Sequence, residues 1–216
     1  MSGTSQLSLF NKALRHLEER KLASLTENRE PLRYLNDEYD DAILTCLHSG
    51  LWNHAIRDIM VSADTTLIPQ FGFEYAFRKP GDWIRTLAIA DNEQMEPLIR
   101  RLYDQNQFWY SDITPLYVRY VSSDPDYGRN LSIWPPSFVE YVGCYLAWTC
   151  APRLKQSQDK VDAIEKRLRR LKADALARDA QDLPPGKPPF GDWVQSRAPR
   201  GSILPFGNPF GGLPWD

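Results

Sequence analysis

EPLRYLNDEYDDAILTCLHSGLW, residues 30–52, places Leu32, Leu35, Tyr39, Ala42, Ile43, Cys46 and Leu47 three or four positions apart until Gly50. That spacing draws one apolar stripe along a helix, and Pro31 sits in the first turn, where its missing N–H costs nothing. A helix over about 30–49 follows, with an acidic opposite face of Asp37, Glu38, Asp40 and Asp41. Upstream, Leu7, Phe10, Ala13, Leu14 and Leu17 repeat the pattern behind Ser5, a candidate N-cap, and predict a first helix over about 5–20.

Downstream of Leu51 the period changes. β-Branched and aromatic residues gather in short runs parted by Gly, Pro, Asp and Asn, the pattern of strands and turns. Six strands are predicted within about 55–134: Ile56 to Ser62, Phe73 to Phe77, Trp83 to Ile89, Leu98 to Tyr103, Phe108 to Tyr110 and Leu116 to Val121. Pro135 and Pro136 then precede Ser137, a possible cap. Phe138, Tyr141, Val142, Tyr145, Leu146 and Thr149 predict a third helix over about 137–151, stopped near Pro152. Val161, Ile164, Leu168, Leu171 and Ala175 form a narrow seam on a fourth helix over about 157–180. The expectation is an α+β protein, mainly α: a four-helix bundle over residues 1–180 with a β-strand-rich insertion between helices two and three.

From residue 181 the composition shifts, with eight of the 17 prolines and six of the 12 glycines in the last 36 residues. The stretch also carries Phe190, Trp193, Ile203, Leu204, Phe206, Phe210, Leu213 and Trp215, and Pro-Phe-Gly recurs at Pro189, Pro205 and Pro209. A solvating tail lacks such anchors. Residues 181–216 are expected to be an extended arm that docks its rings on another subunit.

The bulk charge is nearly balanced, with 26 basic and 28 acidic side chains, so nothing in it marks a nucleic-acid or membrane-surface binder. The first residues lack a basic and apolar leader pattern, and no apolar run is long enough for a span, so no membrane partner is expected. Three cysteines are too few for a disulfide framework. Lys166, Arg167, Arg169, Arg170 and Lys172 make the fourth helix basic, which suits electrostatic docking on an acidic partner.

Chemistry-bearing sets are sparse. Cys46, His48 and His54 are close in sequence, but their spacing matches no four-ligand metal site. Cys144 and Cys150 have no nearby His to activate a thiolate. Gly207, Gly211 and Gly212 precede neither a helix nor a lysine, so no phosphate cradle and no cofactor are predicted. Glu74, Asp82 and Asp91 are the carboxylates that a sugar-cleaving acid and nucleophile would draw on.

Several short motifs fall in a familiar order. Asn11, Ala13, Leu14 and Leu17 form Asn-x-Ala-Leu-x-x-Leu; Leu51 and Trp52 are followed by Ala55; then come Tyr75, Phe77, Pro80, Asp82, Trp83 and Arg85; and last Leu116, Arg119, Tyr120 and Asp124. In this order the chain resembles the head-to-tail adaptor family of tailed bacteriophages, the group of tail tubular protein A and the short-tailed phage head-completion adaptors. The resemblance spans about residues 5–180, and it departs at Glu18, where the family often has Gly after its first Leu motif. It implies a structural protein, not an enzyme. Helical subunits would form a twelvefold ring at the head-tail junction of the virion, assembled in the host cytoplasm. The ring would sit beneath the portal, pass genomic double-stranded DNA without reading its sequence, and offer its far face to a tail or nozzle protein. On that expectation Asp37, Glu38, Asp40 and Asp41 are candidates for the channel wall, where acidic groups let phosphates slide. The alternatives are a peptidoglycan-degrading glycosidase of the virion, or another neck ring protein such as a stopper or tail terminator.

Overall fold

The computed structural model describes residues 4–182 apart from Pro97, Arg100 and Gln156. In chain order the elements are α1 (Gln6–His16), α2 (Glu30–His48), β1 (Ile56–Val61), β2 (Tyr75–Arg78), β3 (Trp83–Ala90), β4 (Leu102–Gln105), β5 (Phe108–Ser111), β6 (Leu116–Ser122), α3 (Pro136–Leu154) and α4 (Gln158–Asp182). A short 3-10 turn, Asn53–Ala55, joins α2 to β1.

The expected four-helix bundle with one strand-rich insertion is overturned. The protein is a mixed α/β structure of four helices and two three-stranded antiparallel sheets, ordered β1-β6-β3 and β2-β5-β4. The reason lies in two separate cores. Phe77, Ile89, Trp109, Leu116, Val118 and Tyr120 cluster between the sheets, with Ile59, Val61 and Tyr75 against them, so the strands bury their own apolar face and form a small sandwich. The helices share a second cluster with Trp52, Ile84 and Val121; the latter two belong to β3 and β6 and tie the sandwich to the helices.

The helices also depart from bundle geometry. A bundle helix shows one stripe, but α3 buries residues around its whole circumference, among them Val139, Gly143, Cys144, Ala147 and Ala151 as well as Phe138, Tyr141 and Val142. Accordingly α1, α2 and α4 each pack on α3, and no other helix pair among the described residues makes comparable contact. At Gly143 an added Cβ would lie 3.1 Å from Cβ of Lys12, the closeness at which α1 crosses α3. The predicted seam of α4 does pack inward, with Ile164 and Ala175 buried and Val161, Leu168 and Leu171 half-buried.

Helix ends follow local chemistry. Ser5 caps α1, its Oγ accepting from the Ser8 N–H at 3.2 Å. At the other end Glu19 N–H donates to Leu14 O (2.9 Å) and Glu18 N–H to Arg15 O (3.2 Å), while Glu18 stands at φ 57°. This is the paired terminus that glycine usually makes, and it ends α1 at His16, short of the expected residue 20. Ser137 is not the cap of α3, because the helix starts at Pro136 behind Pro135. Nor does Pro152 stop it at once: Leu154 is the last helical residue, and Lys155 N–H still reaches Ala151 O at 2.8 Å. Trp52 Nε1 donates to Cys46 O (2.9 Å), which satisfies a carbonyl of the last turn of α2.

Asp82, Tyr120 and Asp124, singled out in the sequence, meet in one polar cluster. Asp82 accepts from Tyr120 Oη (2.9 Å), Ser122 Oγ (2.5 Å) and Arg57 Nη1 (3.0 Å), and Arg57 also pairs with Asp124 at 3.1 Å. Burial raises the Asp82 carboxyl, but the donors from Ser122, Tyr120 and Arg57 outweigh it and hold the group below its ordinary range. The cluster fastens the β2–β3 turn to the end of β6. A second cluster sits under the other sheet. Lys79 Nζ pairs with Asp104 at 2.5 Å and lies 3.6 Å from the Trp83 ring centroid, while Thr86 Oγ1 accepts from both Trp83 and Trp109 Nε1 and donates to Asp104.

Candidate interaction surfaces

The register of the second sheet sorts its side chains. Phe77 pairs with Trp109 and Trp109 with Asp104, which puts these on the inner face; the next rank, Ala76, Tyr110 and Tyr103, therefore lies on the outer face. A two-residue turn at Asn106 (φ 48°) and Gln107 closes the β4–β5 hairpin in the left-handed conformation that Asn tolerates. The outer face carries linked rings: Phe71 meets Tyr103 at 5.0 Å between centroids, Tyr103 meets Tyr110 at 6.1 Å, and Phe73 and Phe108 both meet Tyr110. Arg101 lies over Phe73 and Arg78 over Phe108. Phe71 is 66% exposed and Ile68, on the same β1–β2 loop, 86%. Apolar side chains held this far into solvent usually mark a surface that another protein covers.

The acidic face of α2 is divided. Asp40 pairs with Arg129 at 2.7 Å and Glu38 stands 3.9 Å from Arg153, while Asp37 and Asp41 are exposed. The five basic residues of α4 do not share one face either. Lys166 and Arg169 point to solvent, Arg169 pairing with Glu165 one turn earlier. Arg167 and Arg170 turn toward α1, and Lys172 is half-buried on the side of Cys46. The arm residues Phe190, Trp193, Ile203, Leu204, Phe206, Phe210, Leu213 and Trp215 lie outside the described residues.

The chemistry-bearing sets are dispersed. Cys46, Cys144 and Cys150 are buried free thiols; burial pushes the first two up to about 12 and the third to about 11, so none is a thiolate at neutral pH. His48 is exposed, whereas His54 is enclosed by Phe138 (4.6 Å), Trp52 and Trp134 (both 6.4 Å), and neither ring nitrogen has a partner. Its burial lowers the imidazole to about 4. Among the described residues no group of three or more His, Cys, Asp or Glu is placed to hold a metal ion. Asp82 is fixed as an ionised acceptor of three donors, the wrong state for a general acid, and Glu74 and Asp91 are exposed.

The chain matches no protein-family model and no curated protein sequence. The predicted strands Phe73 to Phe77 and Phe108 to Tyr110 fall close to β2 and β5, whereas the predicted Leu98 to Tyr103 shifts to Leu102–Gln105, and the pattern could not show that Phe71 and Tyr103 stay exposed while Tyr110 is buried. The available signal was the density of rings in 71–77 and 103–110.

Proposed function

We propose that this protein is a structural head-to-tail adaptor of a tailed bacteriophage and not an enzyme. Copies form a ring, twelvefold by the resemblance, that sits in the virion beneath the portal, extends the DNA channel and offers a surface to a tail or nozzle protein. The observation that carries the reading is the aromatic outer face of the β2-β5-β4 sheet. The subunit already closes two cores of its own, and still it holds Phe71, Tyr103 and Ile68 out toward solvent. Surplus apolar surface on a folded subunit is what a permanent, laterally closing interface consumes.

The charged helices fit the same assignment. Exposed Asp37 and Asp41 suit a wall along which DNA slides, and the outward Lys166 and Arg169 suit electrostatic docking on the portal. The arm of residues 181–216 supplies aromatic anchors for the portal or a neighbouring copy.

The test is to mix the purified chain with its portal and measure mass by native mass spectrometry, beside the variant Phe71→Ser/Tyr103→Ser. A ring of about twelve copies on the portal, weakened in the variant, is expected. A chain that stays single with portal present, whether or not the rings are intact, overturns the assignment.

A further inference from the structure

Strand pairing brings three loops to one end of the sandwich: 62–74 between β1 and β2, 91–101 between β3 and β4, and 112–115 between β5 and β6. Exposed apolar side chains gather there. Besides Ile68 and Phe71, Leu98 is 53% and Ile113 40% exposed. Leu98, Ile99 and Ile113 wall an open cavity of about 270 Å³ that Asp91, Arg101 and Asp112 also line. Arg101 pairs with Asp112 at 2.9 Å and lies over the Phe73 ring, so it links this cavity to the Phe71 and Tyr103 pair. The result is one apolar strip from the sheet face to the loop end.

The charge beside the strip is acidic. Glu74, Asp91, Glu93 and Glu96 are exposed, and among the described residues no ion pair engages them, while Arg78 and Arg101 are taken up by Asp64 and Asp112. The rings here already accept cations, Phe73 from Arg101 and Phe108 from Arg78, whereas among the described residues Phe71 and Tyr103 carry none. Such a surface repels polyanions and suits a ligand that joins aromatic anchors to positive charge.

Residues 187–210, outside the described residues, have that chemistry in their sequence. Lys187, Arg197 and Arg200 stand against the single carboxylate of Asp192 and alternate with Phe190, Trp193 and the Pro-Phe pairs ending at Phe206 and Phe210. Chain length is sufficient as well. From Asp182 to Phe206 the backbone can span at most roughly 80 Å, against about 40 Å for the width of a folded domain of this size.

We propose that residues 187–210 of one copy bind the strip of Phe71, Tyr103, Leu98 and Ile113 on a second copy, with their cations toward the carboxylates of the 91–101 loop. The inference rests on the reading that copies join side by side, and it names the two parts that join.

The test uses the full chain with a photoreactive benzophenone amino acid in place of Phe206. Equal amounts of isotope-labelled and unlabelled chain are unfolded together, refolded and irradiated, alone and with the portal. Cross-links from position 206 of a labelled chain into residues 62–78 or 91–113 of an unlabelled one are expected. Their yield should fall at least about tenfold in Phe71→Ser and in Glu93→Lys/Glu96→Lys, and the second loss should be recovered when Arg197→Glu/Arg200→Glu is added. Phe71, Glu93 and Glu96 are exposed, so these variants should keep the wild-type melting temperature, measured in parallel. Cross-links confined to chains of one isotope overturn the proposal. So do cross-links that fall on the helices, or a yield that Phe71→Ser leaves unchanged. A ring on the portal without these cross-links sinks this inference and spares the adaptor assignment; the cross-links without a ring do the reverse.

Discussion

Replacing His54 by leucine should remove most of the protein's sensitivity to mild acid. The imidazole sits among Trp52, Trp134 and Phe138 with neither nitrogen bonded, and its burial lowers its pKa from the ordinary 6.5 to about 4. Because the folded value lies below the unfolded one, the unfolded chain takes up the proton first. Stability is therefore complete above the unfolded pKa, falls as the pH drops through 6.5, and levels off below 4. Across pH 7.5 to 5 that difference is worth about 2 kcal/mol, an appreciable part of the roughly 5–15 kcal/mol that holds a domain folded. His16 is shifted the same way by its burial and leaves a residual slope. The carboxylates held low, such as Asp82 and Glu140, lose their contribution only at more acidic pH. Leucine in the same cage leaves no unpaired nitrogen and should add about 1 kcal/mol at pH 7.5. Urea unfolding followed by tryptophan fluorescence at pH 7.5, 6.5, 5.5 and 5.0 measures both effects. Parallel pH profiles for the two proteins would refute the reasoning, since the titrating group would then lie elsewhere.

Further outcomes follow from the packing. Phe138→Ala empties a fully buried site beside four aromatic rings and should cost about 3–5 kcal/mol by denaturant unfolding. Glu18→Gly relieves a left-handed backbone position and should raise the thermal midpoint, while Glu18→Ala should not. Lys79→Ala strips the ion from Asp104 and the two indoles and should destabilise by about 2–4 kcal/mol, whereas Lys79→Met with Asp104→Leu should recover most of that loss in a double-mutant cycle.

Much of the local structure was legible in the residues. The stripe from Leu32 to Leu47 gives α2 almost to its end, the seam of α4 packs where its spacing puts it, and Ser5 caps α1. What periodicity missed was partnership. Alternation shows that a strand has two faces but not whether the second meets a helix or another sheet, so the sandwich went unseen. In α3, Phe138, Tyr141, Val142, Tyr145 and Leu146 looked like one stripe because the small residues Gly143, Cys144, Ala147 and Ala151 carry little weight in a pattern of large side chains, although they are what lets three helices come close. Arg167 stood out as charge, but its contact with His16 spans about 150 positions and leaves no trace in local spacing.

The central place of α3 has a consequence for how the chain is made. Synthesis delivers α1 and α2 first, yet the helix on which both rest begins only at Pro136, after all six strands. The sandwich, complete by Ser122, can close while the ribosome is still adding the rest; the two leading helices must wait with Phe10, Leu14, Ile43 and Leu47 uncovered until residue 154 has emerged. The order of assembly thus runs against the order of translation, and the longest exposure to aggregation falls on the segment born earliest.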